Sequence, residues 1–257
     1  MMEAFHFEEL LAAAVFTGAR VSGLMVFCPF LGSSAVPTPV KAGLTLLLTL
    51  LLHPLHGPAQ LTLSSWQWAQ VALGEAMIGL VLGLVANFLF EAALLAGQVL
   101  GVQIGYSLAN VFDPQTQADT PVLGEFHQTA MLLLFLQLDV HHWLLRALAG
   151  SFAYLPAGRA FLTLAAVGGL LQAAGGIFLA GLQIAAPSLA ATLIADVALG
   201  FLGKASPQLP VLFIGIAVKN FLGLSVLLMA LAYWPRLFNQ QFARGIHLAE
   251  QLLHLAR

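Results

Sequence analysis

Long apolar runs separated by short polar segments are the dominant pattern of this 257-residue chain. The longest stretches without a charged side chain cover residues 42–74 and 160–195. A helix of about 20 apolar residues can cross the hydrocarbon core of a bilayer, and helices satisfy every backbone polar group internally. The period-2 alternation of a membrane barrel is absent. The pattern therefore predicts hydrophobic helices at roughly residues 10–30, 40–57, 66–90, 92–112, 127–153, 161–203 and 209–235.

Two long segments raise the question of where one helix ends and the next begins. Only Glu75 and Glu91 interrupt residues 66–112, so a division at Glu91 and one continuous helix both stay open there. Residues 161–203 exceed one simple span and contain Pro187, so this helix is expected to be bent or split in two. The predicted number of hydrophobic helices is accordingly six to seven.

The segment after the last apolar run has the pattern of an amphipathic helix. Over residues 235–257 apolar side chains recur at helical spacing, which suits an interfacial helix or one that docks on a partner. No second folding unit is visible, so residues 1–257 are predicted to form a single all-α, polytopic membrane domain. The apolar stripe of the tail consists of Phe238, Phe242, Ile246, Ala249 and Leu253.

Composition and charge support a membrane protein. Hydrophobic residues make up 60% of the chain and charged residues 8%, whereas a soluble domain carries about 25% charged residues. Membrane lipid is therefore the expected surrounding, and the net charge of −2 offers no basic surface to nucleic acid. Arg236, Arg244 and Arg257 follow the last apolar run, which places the C-terminus in the cytoplasm. The acidic N-terminus is expected outside.

Small residues recur every four positions in two of the apolar segments. This spacing lets helix backbones approach closely in lipid, where packing drives association. The partner helices could belong to this chain or to another subunit. The predicted helix-packing residues are Gly79, Gly83, Gly97, Gly101 and Gly105.

Five ionisable residues lie inside apolar runs. Each costs at least about 2.5–3.5 kcal/mol at a lipid-facing helix centre, so each is expected to face protein, a wet cavity or an opposite charge. Two hypotheses account for them: polar joints within an assembly, or a pathway for protons or ions. The five are Glu75, Glu91, Asp139, Asp196 and Lys219.

Histidine pairs occur at positions 53 and 56 and at positions 141 and 142. Neither pair has the nearby cysteine or carboxylate arrangement that is typical of a zinc site, so no metal and no other cofactor is expected. No Ser, His and Asp arrangement on facing helices stands out either. The chain is therefore not expected to be an enzyme.

An acidic, helix-breaking island interrupts the chain near its middle. It reads VFDPQTQADTPVLGEF from position 111, and Pro114 and Pro121 lie within it. Irregular backbone at membrane depth is tolerated only where protein or a water-filled cavity surrounds it. A bundle of apolar helices alone therefore does not explain this acidic, irregular segment.

Two ordered blocks of sequence resemble the flagellar biosynthetic protein FliR family, the R component of the type III export gate. The first reads DPQTQADTPVLGEFHQTAMLLLFLQLDVHHWLLRAL, and the second reads APSLAATLIADVALGFLGKASPQLPVLFIGIAVKNFLGL. The chain departs from the family at Val140, where Gly is usual, and at Lys204, Pro210 and Ala217, where Arg, Asn and Pro are usual. The likeness covers about residues 8–235.

This resemblance implies a helical subunit that assembles with the P and Q components into a spiral export gate. It also implies neighbouring B and A components, a flagellar basal body in the bacterial inner membrane, and unfolded flagellar proteins as cargo. In that family the core lies partly above the bilayer plane, so some hydrophobic segments would mark subunit contacts. The alternatives are the equivalent subunit of a virulence type III system and a proton-coupled small-solute transporter.

The resemblance also implies a role for the acidic island. In the family the equivalent loop is a plug that closes the pore, and a plain interhelical loop is the alternative. The residues assigned to the plug are Tyr106, Asn110, Phe112, Asp113, Pro114, Gln115, Gln117, Asp119 and Thr120.

Overall fold

The structure is a computed structural model that describes residues 2–32, 36–53, 64–106, 122–156 and 164–255. Within these ranges the regular structure is helical and contains no strand, which confirms the all-α class. A short 3₁₀ turn at Leu231–Tyr233 separates the last two helices. The helices are α1 (Met2–Phe27), α2 (Thr38–Leu52), α3 (Ser65–Ile104), α4 (Val122–Gln137), α5 (Val140–Tyr154), α6 (Leu164–Ala205), α7 (Val211–Ala230) and α8 (Trp234–Leu255).

By length and composition, four helical segments in the described part of the chain could cross a membrane. The bent pair α4–α5 makes a fifth if it counts as one span. The prediction of a polytopic helical membrane protein is thereby confirmed. The four segments are Leu10–Phe27, Trp66–Ile104, Gly168–Ala205 and Val211–Ala249.

Residues 66–112 are not divided at Glu91 and residues 161–203 are not split in two, because both helices are continuous. Helix α3 runs for 40 residues through Glu91, about twice the length needed for one span. The sequence around Glu91 is EAALLA, and these residues all favour helix. Helix α6 runs for 42 residues and continues through Pro187 rather than splitting there.

The reverse error occurs at residues 127–153, which were expected to form one helix. Here α4 ends at Gln137, α5 begins at Val140, and the two axes are bent by 66°. The break lies at Asp139, whose φ of 54° is in the left-handed region. Aspartate is among the few non-glycine residues that adopt this conformation readily. The apolar run itself gives no sign of the break.

The chain forms two compact units, and each combines segments that are distant in sequence. Unit 1 comprises Met1–Phe88, Phe135–Gly175 and Gln241–Arg257, and unit 2 comprises Leu89–Leu134 and Gly176–Gln240. Helices α3, α4, α6 and α8 contribute residues to both units.

In unit 1, α1 packs against α2 and against the first half of α3. Phe16 stacks on Trp68 with a ring-centroid distance of 4.7 Å. From the C-terminal helix, Phe242 packs edge-on against Phe135 at 5.8 Å and is buried. Part of α8 therefore belongs to the core of this unit.

In unit 2, the second half of α3 packs against α6 and α7. A Cβ placed on Gly223 of α7 would lie 2.7 Å from Ile104 of α3, and one on Gly181 of α6 would lie 2.9 Å from the carbonyl oxygen of Ala92. These distances are too short for ordinary carbon contacts, so the glycines permit this packing.

Candidate functional site

A buried ion pair joins α1 to α3 in unit 1. Arg20 Nε donates a 2.7 Å hydrogen bond to Glu75 Oε2, and Arg20 Nη2 lies 2.6 Å from the same oxygen. Both side chains are 0% exposed. A buried charge is tolerated only when it is paired and hydrogen-bonded, and here the pairing occurs inside the chain.

The same guanidinium also binds α5 and the residue after it. Arg20 Nη1 donates to Ser151 Oγ at 2.8 Å, and Nη2 donates to the Leu155 carbonyl oxygen at 2.9 Å. The cation also lies 3.9 Å from the centroid of the Phe152 ring. The planar, multi-donor fork of arginine suits such a junction, which connects three helices of unit 1.

Close backbone approach of α1 and α3 surrounds this ion pair. A Cβ on Gly79 would overlap the backbone of Arg20, and a Cβ on Gly23 would overlap the carbonyl oxygen of Ala76. A Cβ on Gly83 would lie 2.8 Å from the carbonyl oxygen of Leu24. The glycines at positions 79 and 83 therefore face another helix of the same chain.

A second polar junction lies in unit 2. Asp196 Oδ1 is 3.0 Å from Lys219 Nζ, and Asp196 Oδ2 accepts a 2.8 Å hydrogen bond from Gln103 Nε2. These residues connect α6, α7 and α3. The side chains of Asp196 and Lys219 are 40% and 20% exposed, so this junction is open to its surroundings while the Arg20–Glu75 pair is not.

The other three predicted packing glycines have different surroundings. A Cβ on Gly97 would overlap the backbone of Leu123 at the start of α4. A Cβ placed on Gly101 would meet no atom of the described residues within 4 Å, apart from its chain neighbours and the backbone of its own helix. Gly105 has a φ of 94° and forms the turn after α3 rather than part of a helix face.

The remaining predicted site residues are dispersed. Glu91 is half-buried in α3, and Tyr106 is exposed at the end of the described segment. Asp139 was expected to be buried, yet its side chain is 66% exposed because it stands at the turn between α4 and α5. The other eight plug residues, from Asn110 to Thr120, lie outside the described residues.

Sequence reasoning missed Arg20 and His127. Arg20 is the only charged residue between Glu9 and Lys41, and this isolation within an apolar run was a usable signal. His127 is buried in unit 2, where its Nδ1 lies 2.7 Å from the Leu123 carbonyl oxygen and its ring packs 5.1 Å from Trp234.

Large apolar side chains are exposed along α6 and α7 of unit 2. Only 28% of the most apolar stretch of Gly168–Ala205 is buried, and only 17% of that in Val211–Ala249. Exposed apolar surface of this extent marks contact with lipid or with other proteins. The most exposed members include Phe178, Ile194, Phe201, Phe213, Phe221 and Met229.

Comparison with known proteins gives consistent similarities across most of the chain. The family model described as "Bacterial export proteins, family 1" matches residues 11–245. The chain is 34% identical to the flagellar biosynthetic protein FliR of Escherichia coli (strain K12) over 214 residues, which cover 81% of this chain and 80% of that protein.

Two further relatives carry the same name. FliR of Bacillus subtilis (strain 168) is 29% identical over 251 residues, which cover 96% of each chain. FliR of Pectobacterium carotovorum is 31% identical over 240 residues, which cover 91% of this chain and 90% of that protein. Residues 11–245, which the family model matches, include both polar junctions and the exposed helices α6 and α7.

Proposed function

The chain belongs to the bacterial export proteins of family 1, which include FliR, and we propose that it is a structural gate subunit of the flagellar protein export apparatus. In this role it assembles with the P and Q components into the channel for unfolded flagellar proteins, beside the B and A components. It performs no chemistry of its own. The membrane is the bacterial inner membrane at the flagellar basal body, with the C-terminus in the cytoplasm.

The family match, which covers nearly the whole helical chain, carries this proposal. The exposed apolar faces of α6 and α7 support it, because a protein with such faces is incomplete without lipid or other subunits. The Asp196–Lys219 pair on α6 and α7 is partly exposed, so it adds charged groups that another subunit can contact. Since both charges are already paired within the chain, they give no support to the transporter alternative.

Co-expression with the P and Q components tests this assignment. We expect the three proteins to purify together, and native mass spectrometry in detergent should show one complex of fixed stoichiometry. The test variant is Phe221→Asn on the exposed face of α7, and its matched control is Leu50→Asn on α2. The two native residues are similarly exposed, at 78% and 71%. The test variant should reduce complex yield more than the control. A stable monomer that ignores both partners would contradict the proposal.

We further propose that residues 106–120 form the plug that the resemblance implies. The flanking helices α3 (Ser65–Ile104) and α4 (Val122–Gln137) lie outside this segment and each has its own apolar run, so both should form without it. Deletion of residues 114–119 should leave complex yield unchanged and raise ion conductance of the assembled gate in a planar bilayer. If the deleted complex conducts no more than the parent and exports normally, the segment is only a connection.

A further inference from the structure

Three potential metal ligands meet at the break between α4 and α5. Asp139 precedes the first residue of α5, and His141 and His142 lie in the first turn of that helix. One nitrogen of each imidazole and one oxygen of the carboxylate all lie within 4.8 Å of one another. No metal was expected from the sequence, because neither histidine pair had a cysteine or carboxylate arrangement typical of a zinc site; the turn at Asp139 brings a carboxylate to this pair.

The carboxylate of Asp139 is directed at the imidazoles rather than at the helix. An aspartate at this position usually accepts a hydrogen bond from the backbone at the start of the helix. Among the described residues Asp139 makes no such side-chain cap. Its Oδ1 instead lies 3.3 Å from His142 Nδ1 and 4.0 Å from His141 Nε2.

The backbone that carries these groups is held in place. The Asp139 carbonyl oxygen accepts a 3.0 Å hydrogen bond from His142 N, and Asp139 N donates to the Leu136 carbonyl oxygen at 3.2 Å. The His141 ring packs 6.2 Å from Phe135 and 4.2 Å from the His142 ring. His141 Nδ1 is buried, so Nε2 is the nitrogen of this ring available to a ligand from outside.

We propose that Asp139, His141 and His142 form a binding site for a divalent transition-metal ion of the zinc type. Two imidazoles and one carboxylate are a donor set that such ions accept, with bonds of about 2.0–2.2 Å. Tetrahedral geometry then separates the donor atoms by about 3.3 Å. The 3.3 Å distance from Asp139 to His142 already fits, and the 4.0 Å distance to His141 would have to shorten modestly. The side chains are 66%, 38% and 58% exposed, which leaves them free to adjust and leaves further coordination positions to water.

The proposed ion would stabilise the turn at Asp139, where α5 begins. All three ligands lie within four consecutive residues, so the ion would fix the local turn and not join remote parts of the chain. It would also neutralise a carboxylate that lies in an otherwise apolar stretch. This site is separate from the two polar junctions and does not depend on the proposed role in export.

Titration of the purified, tag-free and chelator-treated protein with Zn²⁺ tests the site. Isothermal calorimetry should show one ion bound per chain, and Mg²⁺, which prefers oxygen ligands, should not compete. At a hundredfold excess of Zn²⁺ over Kd, the melting temperature should rise by about 5–11 °C. Absence of saturable Zn²⁺ binding would overturn the proposal.

Matched variants distinguish this site from other histidines. Asp139→Asn removes the charge but tolerates the left-handed backbone, so it should melt like the parent without metal and bind Zn²⁺ at least tenfold more weakly. His142→Gln should do the same. His247→Gln, at an exposed histidine of α8, should leave the affinity unchanged. If Asp139→Asn and His142→Gln bind Zn²⁺ as tightly as the parent, the ion binds elsewhere and the proposal is wrong.

Discussion

Removal of the carboxylate from the Arg20–Glu75 pair should destabilise the protein strongly. Glu75→Ala leaves the guanidinium buried, with only Ser151 and Leu155 remaining among its hydrogen-bond acceptors described above. Neither of these carries a negative charge. Because both members of the pair are 0% exposed, water cannot replace the missing carboxylate without opening the contact between α1 and α3.

The expected loss is about 3–5 kcal/mol, the cost of breaking a buried ion pair by removing one partner. A domain has about 5–15 kcal/mol of stability in total, so this loss is a large fraction. At about 2–4 °C per kcal/mol for a chain of this size, the melting temperature should fall by about 6–20 °C. Glu75→Gln should cost less, since the amide oxygen can still accept a bond from Arg20 Nε.

Thermal melting in detergent, followed by tryptophan fluorescence, measures this effect. Glu125→Ala is the matched control because Glu125 is exposed on α4, and exposed substitutions usually change stability by less than about 0.5 kcal/mol. The double variant Arg20→Met/Glu75→Met should be more stable than Glu75→Ala, since a hydrophobic pair avoids the buried charge. Equal melting of Glu75→Ala and the parent would refute the reasoning, and so would a double variant less stable than Glu75→Ala.

Two further predictions concern packing and assembly. Gly79→Ala should lower the melting temperature, because its Cβ would overlap the backbone of Arg20 and force the helices apart at a cost of about 1–3 kcal/mol or more. Gly101→Ala, whose Cβ would meet no other described element within 4 Å, should be neutral or stabilising by up to about 1 kcal/mol. Equal melting temperatures of the two variants would contradict this packing. Asp196→Ala and Lys219→Ala should each change the melting of the isolated chain little, since the pair is partly exposed, yet should reduce the amount of complex recovered with P and Q. Normal complex yield together with lost proton coupling would instead support a transporter.

The positions of apolar runs were enough to predict the helical class and most helices. Amphipathic spacing also located α8. Hydrophobicity could not show that α3 continues through Glu91, because an apolar run of 40 residues is compatible with one long helix or two short ones. It could not show the turn at Asp139 either, since that backbone conformation leaves no mark on the apolar pattern.

The sequence predicted which charged residues of the two polar junctions need partners, but not which residues those partners are. The cost of an isolated charge in lipid identified Glu75, Asp196 and Lys219 as residues that need partners. The partner of Glu75 lies 55 positions away on another helix, and the contact exists only because glycines let α1 and α3 touch. Such distant pairing depends on tertiary packing, which one sequence does not reveal.

The interleaving of the two units in sequence has a consequence for biosynthesis. Unit 1 contains the first part of the chain, yet it also includes Gln241–Arg257, and Phe242 fills its core against Phe135. During translation the core of unit 1 therefore stays incomplete until residues 241–257 have been synthesised. Burial of one phenylalanine contributes about 1.5–3 kcal/mol, so ribosome-bound chains that stop before residue 241 would remain incomplete and open to quality-control proteases.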